Sequence, residues 1–193
     1  VAGRRVLELC DLTPADLDHV DVYSCFPSAV QIGAREIGLD QSKPLTITGG
    51  LTFAGGPLNN YVMHSIARMA ELLRENRDAK GLITANGGYL TKHAFGVYSA
   101  TPPASPFQHQ DVQAEVDETP LRQAVEIHNG DAEVESYTVM YAGEAPKIGY
   151  VSALTADGSR TLATTEDADV LAQMISEEFC GRTVQLQDKV ARF

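Results

Sequence analysis

The 193-residue sequence has no tryptophan and only three cysteines, Cys10, Cys25 and Cys180. An odd number of thiols at wide spacing makes neither a disulfide framework nor a zinc pattern, which points to a reducing, cytoplasmic setting. Basic side chains are scarce: 15 Lys and Arg stand against 26 Asp and Glu, for a formal charge of −11. A surface of that sign repels phosphate backbones and anionic lipid, so nucleic acid and membrane surfaces are not expected partners. No apolar run reaches the length of a membrane span, and no signal-peptide pattern is read at the start. The chain opens at Val1 on a helix-like stretch, as expected of a piece of a longer protein.

What is present supports a core: 44% of the residues are hydrophobic, the range of ordinary globular domains. Residues 3–10 predict a short helix, and Thr13-Pro14 a helix start. Val20–Ser24 alternates like a strand, Pro27 to Gly38 brackets a helix, and Pro44–Thr48 predicts a further strand. Asn59 or Asn60 is expected to cap a long amphipathic helix with Val62, Ile66, Met69 and Leu73 on its apolar side. Met63 and Met69 are expected as core filling. Gly81–Asn86 and Phe95–Ser99 predict strands around an Asn86-Gly-Gly88 turn. Helix and strand therefore alternate over the first hundred residues, an α/β pattern.

Composition changes at Thr101-Pro-Pro-Ala-Ser-Pro106, which continues neither a helix nor a sheet. Expected boundaries are 1–103 for the α/β part, 104–120 for a linker and 121–193 for a small β-rich domain. Within the latter, Asn129-Gly130 predicts a hairpin turn and Ala156-Asp-Gly-Ser159 a second. Ser136–Tyr141 and Thr183–Gln187 predict strands, and roughly Ala168–Phe179 a helix. A small antiparallel barrel or sandwich with one helix follows.

Thr48-Gly-Gly-Leu-Thr-Phe-Ala-Gly-Gly-Pro-Leu-Asn-Asn60 stands directly before the long helix. Glycines at this density let backbone come close to a ligand or another strand. Three stretches then resemble, in order, the C-terminal half of the thiolase superfamily. Val20-Asp-Val-Tyr-Ser-Cys-Phe26 resembles the strand and loop carrying Asn-Glu-Ala-Phe, or His-Asp-Cys-Phe in the sterol-carrier-protein type. Gly49 to Pro57 resembles the loop ending in Gly-His-Pro, and Thr84-Ala-Asn-Gly-Gly88 the loop ending in Cys-x-Gly-Gly. Glu135-Ser-Tyr-Thr-Val139 and Asp157-Gly-Ser-Arg160 resemble the additional C-terminal domain of thiolase-like proteins of type 1. The resemblance implies an α/β thiolase-fold half with a mixed sheet, followed by a small antiparallel β-barrel-like domain with one helix.

It also implies a site, and the sequence departs from it. In active thiolases these loops supply an oxyanion hole and an acid–base cysteine, while a nucleophilic cysteine comes from the N-terminal half. Here the matching positions hold Tyr23, Ser24, Gly56 (between Gly55 and Pro57) and Ala85. Glycine and alanine side chains can neither move a proton nor donate a hydrogen bond. Cys25 matches the sterol-carrier type, yet nothing nearby in sequence lowers its pKa, so an inert thiol is expected. Asn86, with Gly87 and Gly88, could offer an amide to a carbonyl or satisfy its own turn. His93 is the one candidate catalytic group, as a surrogate base. His109 and His128 have no ligand spacing around them, and no metal is expected.

Three functions follow as expectations. The first is a thiolase-like (acetyl-CoA acetyltransferase-related) protein of lipid and acyl-CoA metabolism, binding CoA or acyl-CoA without thiolase turnover. The second is an acyltransferase active with a missing N-terminal half and using His93. The third is a non-enzymatic module docking an acyl-CoA or lipid-pathway protein. A lone thiolase half leaves an apolar face, so an N-terminal half or another copy of the chain is the expected partner.

Overall fold

Pro27 and Gly38 bound helix α2 (Pro27–Ile37): proline suits the first turn, where no N–H is needed, and Gly38 takes the left-handed φ of 85° that closes the helix. Helix α1 (Ala2–Leu9), a 3₁₀ turn at Pro14–Asp16 and strand β1 (His19–Asp21) come before it. Helices α3 (Leu51–Ala54) and α4 (Tyr61–Glu75), strands β2 (Lys80–Gly87) and β3 (Lys92–Ser99) and helix α5 (Gln113–Asp117) come after it. These elements make up the first of two units, Val1–Thr119, in a computed structural model that describes residues 1–193.

The sheet of this unit is mixed. Strand β1 pairs in parallel with β2, Val20 opposite Leu82, and β2 pairs antiparallel with β3, from Lys80 opposite Ser99 to Gly87 opposite Lys92. Leu82 and Ile83, adjacent in β2, belong to two different clusters because side chains alternate across a strand. Leu82 joins Leu7, Ala34 and Ile37 of α1 and α2, whereas Ile83 joins Met69 and Leu73 of α4. Helices thus cover both faces. Gly81 lets α4 lie close, because a Cβ there would run into the Met69 thioether.

Several expectations are corrected. Pro44–Thr48 is not a strand; only the Val22 N–H to Leu45 carbonyl bond, 2.9 Å, ties it to β1's exit. The Thr46 and Thr48 hydroxyls and the Ile47 N–H go instead to a buried carboxylate described below. Asn60 does sit before α4, but its side chain makes no capping bond. The buried face of α4 is Tyr61, Ser65, Met69 and Leu73, with Val62 and Ile66 only flanking it. Met63 lies off that face and is 56% exposed. In the segment 104–120, α5 is ordered by an Arg5 to Glu115 ion pair of 2.7 Å.

The second unit, Pro120–Phe193, is a closed barrel. Its strands are β4 (Gly130–Ala142), β5 (Ala145–Leu154), β6 (Arg160–Thr165), β7 (Thr183–Gln187) and β8 (Val190–Arg192), with helix α6 (Ala168–Ser176) between β6 and β7. Neighbours run β4-β5-β6-β8-β7, and β7 pairs back to β4. All pairings are antiparallel except β6 with β8. That order is the Greek-key path of the small five-stranded barrels called OB-folds. Inside lie Val134, Val151, Ala163, Phe179, Val184 and Leu186.

The Asp157-Gly158 turn joins β5 to β6 as expected. The Asn129-Gly130 hairpin does not form: no strand precedes Gly130, and the Asn129 side chain instead accepts from the Asp188 N–H at 2.8 Å, holding the β7–β8 turn. Helix α6 stops at Ser176, three residues before Phe179, whose ring turns fully into the core. Strand β8 is too short to have carried a pattern.

Candidate functional site

The three motif loops meet where β1 and β2 end. The backbone N–H of Tyr23 donates to Thr84 Oγ1 at 2.9 Å, which ties the first motif to the third. Its ring packs edge-on against Tyr61 at 5.3 Å between centroids. Next along the chain, Ser24 Oγ accepts the Leu51 N–H at 2.9 Å, joining the first motif to the second. Cys25 is half-buried, with the Asn86 amide nitrogen 3.8 Å from its sulfur. Tyr23, Ser24, Cys25, Asn86 and the start of the glycine loop are therefore brought together.

The glycine loop contains a helix. Gly49 and Gly50 take φ of 89° and 78°, Leu51–Ala54 forms the single turn α3, and Gly55 leaves it at φ 75°. At Gly50 the requirement is steric as well as torsional, since a Cβ would lie 2.7 Å from Ser24 Oγ. Gly56 faces the Leu51 side chain, and a Cβ there would sit tightly, 3.3 Å from Leu51 Cδ2. Pro57 follows and accepts from the Asn60 N–H at 3.0 Å.

On the third motif, Ala85 pairs with Ala94, Asn86 with His93, and Gly87 with Lys92 across β2 and β3. Strand pairing continues through Gly87, so the turn falls at Gly88–Leu90, where Gly88 and Leu90 have φ of 62° and 63°. The His93 ring nitrogen Nε2 is 2.9 Å from the Leu90 carbonyl, and the ring stacks on Phe95 at 6.4 Å. None of its hydrogen bonds reaches Cys25 or the glycine loop. No three His, Cys, Asp or Glu side chains are grouped as a metal site. No helix is long and apolar enough to cross a membrane.

The residue that sequence reasoning missed is Asp21, the last of β1, which is completely buried. Its Oδ2 accepts from Thr46 Oγ1 (2.9 Å), the Ile47 N–H (3.0 Å) and Thr48 Oγ1 (3.2 Å). Its Oδ1 accepts from the Tyr61 hydroxyl (2.9 Å) and Ser65 Oγ (2.7 Å). Burial pushes the Tyr61 phenol up, so it remains a hydroxyl and a donor. Five neutral groups able to donate surround the one carboxyl, with no cation beside it, so that its buried oxygens are satisfied. The signal was present as Thr46-x-Thr48 and as Tyr61 and Ser65 four apart on the inner face of α4.

A mixed sheet clothed by helices, three glycine-bearing or cysteine-bearing loops at one end of it, and a small barrel unit define a thiolase-like C-terminal portion. Residues 111–189 match the family model described as the thiolase-like protein type 1 additional C-terminal domain. The fold matches the crystal structure of a monomeric SCP2-thiolase-like protein type 1 from Mycobacterium smegmatis with a TM-score of 0.85 and 34% identity. That match covers 96% of this chain and 42% of the solved one, so the chain spans less than half the length of this relative. No curated protein matches the sequence. Residues 111–189 thus match the additional C-terminal domain of thiolase-like proteins of type 1, and the chain as a whole is similar to a protein of that type.

Proposed function

We propose that this chain is the thioester-binding C-terminal portion of a thiolase-like protein that holds CoA or an acyl-CoA without ordinary thiolase turnover. One observation carries the reading. The loops that frame the site are tied together through Thr84, Ser24 and Asn86, while the positions matching the family's loop histidine and cysteine are Gly56 and Ala85. A retained frame with the acid–base groups deleted suits binding better than turnover, since loss of a single oxyanion donor already costs about 10²–10³ in rate. Lipid and acyl-CoA metabolism in the cytoplasm is the setting this reading implies. Isothermal titration of the full chain with acetyl-CoA tests it. Saturable binding that Gly56→Trp, filling the site, abolishes is expected; no heat with wild type rejects the reading.

A second reading, acyl transfer with His93 as base when an N-terminal half is supplied, is supported by the His93 ring geometry. Nε2 is held by the Leu90 carbonyl, so Nδ1 is the ring nitrogen left to meet a substrate. The His93→Ala variant in the longer protein decides it: acyl transfer unchanged by the substitution removes His93 from the mechanism. The exposed Phe53, Leu58 and Tyr89 on the motif loops support a protein partner, either a second thiolase-fold half or another copy. The relative from Mycobacterium smegmatis is described as monomeric, which favours a half over a copy. Light scattering that shows a clean monomer of this chain removes the copy.

A further inference from the structure

We propose that Asp21 is the positioning residue of the glycine loop, acting through Thr46 and Thr48 to fix the backbone that frames the ligand. An ionised carboxylate offers only acceptors, so hydroxyls that touch it must donate. Thr46 Oγ1 donates to Asp21 and is left with lone pairs only. Those lone pairs take the N–H groups of Thr48 (3.2 Å) and Gly49 (3.0 Å). Thr48 Oγ1, 2.7 Å from the Tyr61 hydroxyl and 3.2 Å from Asp21, has one hydrogen to share between them and accepts the Gly50 N–H at 3.2 Å. Ser24 Oγ takes the next N–H, that of Leu51.

Four successive backbone donors, residues 48 to 51, are thus held by side-chain oxygens, and three of the four depend on threonines oriented by Asp21. These are the residues where Gly49 and Gly50 take positive φ and α3 begins. The other carboxylate oxygen grips α4 through Tyr61 and Ser65. The carboxylate therefore has a loop arm and a helix arm, and the two can be cut separately. A group serving only the core would respond alike to either cut. A positioning group passes only the loop cut on to the site.

The inference rests on the thioester-binding reading for its functional half, and the test separates the two. Amide hydrogen exchange and acetyl-CoA titration are measured on the full chain for wild type, Thr46→Val, Thr48→Val, Ser65→Ala and Asp21→Asn. Thr46→Val is expected to speed exchange at Thr48 and Gly49 by about tenfold, the loss of one hydrogen bond each. Thr48→Val is expected to do so at Gly50, and Ser65→Ala at none of the three. Acetyl-CoA binding is expected to weaken by about tenfold in both threonine variants and to hold in Ser65→Ala, even where the melting temperatures fall together. Equal loop exposure by Ser65→Ala and Thr46→Val, or no exposure by either threonine variant, overturns the proposal whether or not Asp21→Asn folds. Absence of acetyl-CoA binding in wild type instead rejects the thioester reading, and the exchange pattern still decides the role of Asp21.

Discussion

At Gly50 a single missing methyl group joins two motifs. A side chain there would have to adopt a φ of 78° and displace Ser24 Oγ from the Leu51 N–H. The Gly50→Ala variant is expected to lose about 1–3 kcal/mol for its backbone alone, since φ 78° with ψ −179° is a region essentially reserved for glycine, seen as a lower melting temperature for the first unit. Gly55→Ala shares the positive φ but has open space around the Cβ, so its loss is expected to be smaller. Equal losses would show that the Ser24 contact contributes nothing. In the barrel, Glu135 accepts two bonds from Arg160, at 2.6 and 2.7 Å, and one from Ser152. The Arg160 guanidinium, and then Ser152, hold its carboxyl below the usual glutamate range. A depressed value means stability that is present above the unfolded-state pKa and drains away as pH falls through the folded one. Urea titrations at neutral pH and in acid are expected to show a smaller acid loss for Glu135→Gln than for wild type. Identical acid losses would refute this.

Among the elements, those punctuated by proline and glycine could be read from the sequence, because those residues act on the backbone locally. Helix α2 between Pro27 and Gly38 and the β5–β6 turn at Asp157-Gly158 are of this kind. The failures lie where tertiary hydrogen bonds outrank local pattern. Pro44–Thr48 alternates like a strand, yet Asp21 claims its hydroxyls and the Ile47 N–H. Asn129-Gly130 has hairpin chemistry but serves a turn 59 residues away. The candidate site was legible as three loops in order. Its internal wiring was not: Thr46-x-Thr48 and the Tyr61/Ser65 pair are visible as local patterns, but nothing in the sequence says that both converge on Asp21. Helix α6 shows local chemistry prevailing: Asp167 accepts the N–H groups of Asp169 and Val170 at 3.0 and 3.1 Å. Asp167→Ala is expected to cost about 1 kcal/mol of barrel stability, measured by tyrosine fluorescence during urea unfolding. A change within error would mean the cap is replaced by water.

For the whole molecule, the stretch from Thr101 to Asp111 has no helix or strand, and Phe107 in it is 91% exposed. Brief chymotrypsin treatment of the native chain is expected to cut first at Phe107, ahead of the exposed but strand-bound Tyr150. Cleavage starting within the barrel instead would show that the second unit opens more readily than its closed sheet suggests. The family match begins at residue 111, the last of this stretch.

The barrel is joined between β6 and β8 by one registered pair, Thr164 with Val190, together with the Thr164 N–H to Lys189 carbonyl bond of 2.8 Å. Three residues, Val190–Arg192, link β6 to β7. During synthesis β4, β5 and β6 can form their meander as they emerge, but the ring stays open until Arg192 has cleared the ribosome tunnel. Until then the nascent unit presents an unpaired β6 edge, the feature that invites misassembly between chains. Closing is a contact between segments far apart in sequence and is correspondingly slow. A strand of three residues thus sets the moment at which the newborn chain stops being vulnerable to its neighbours.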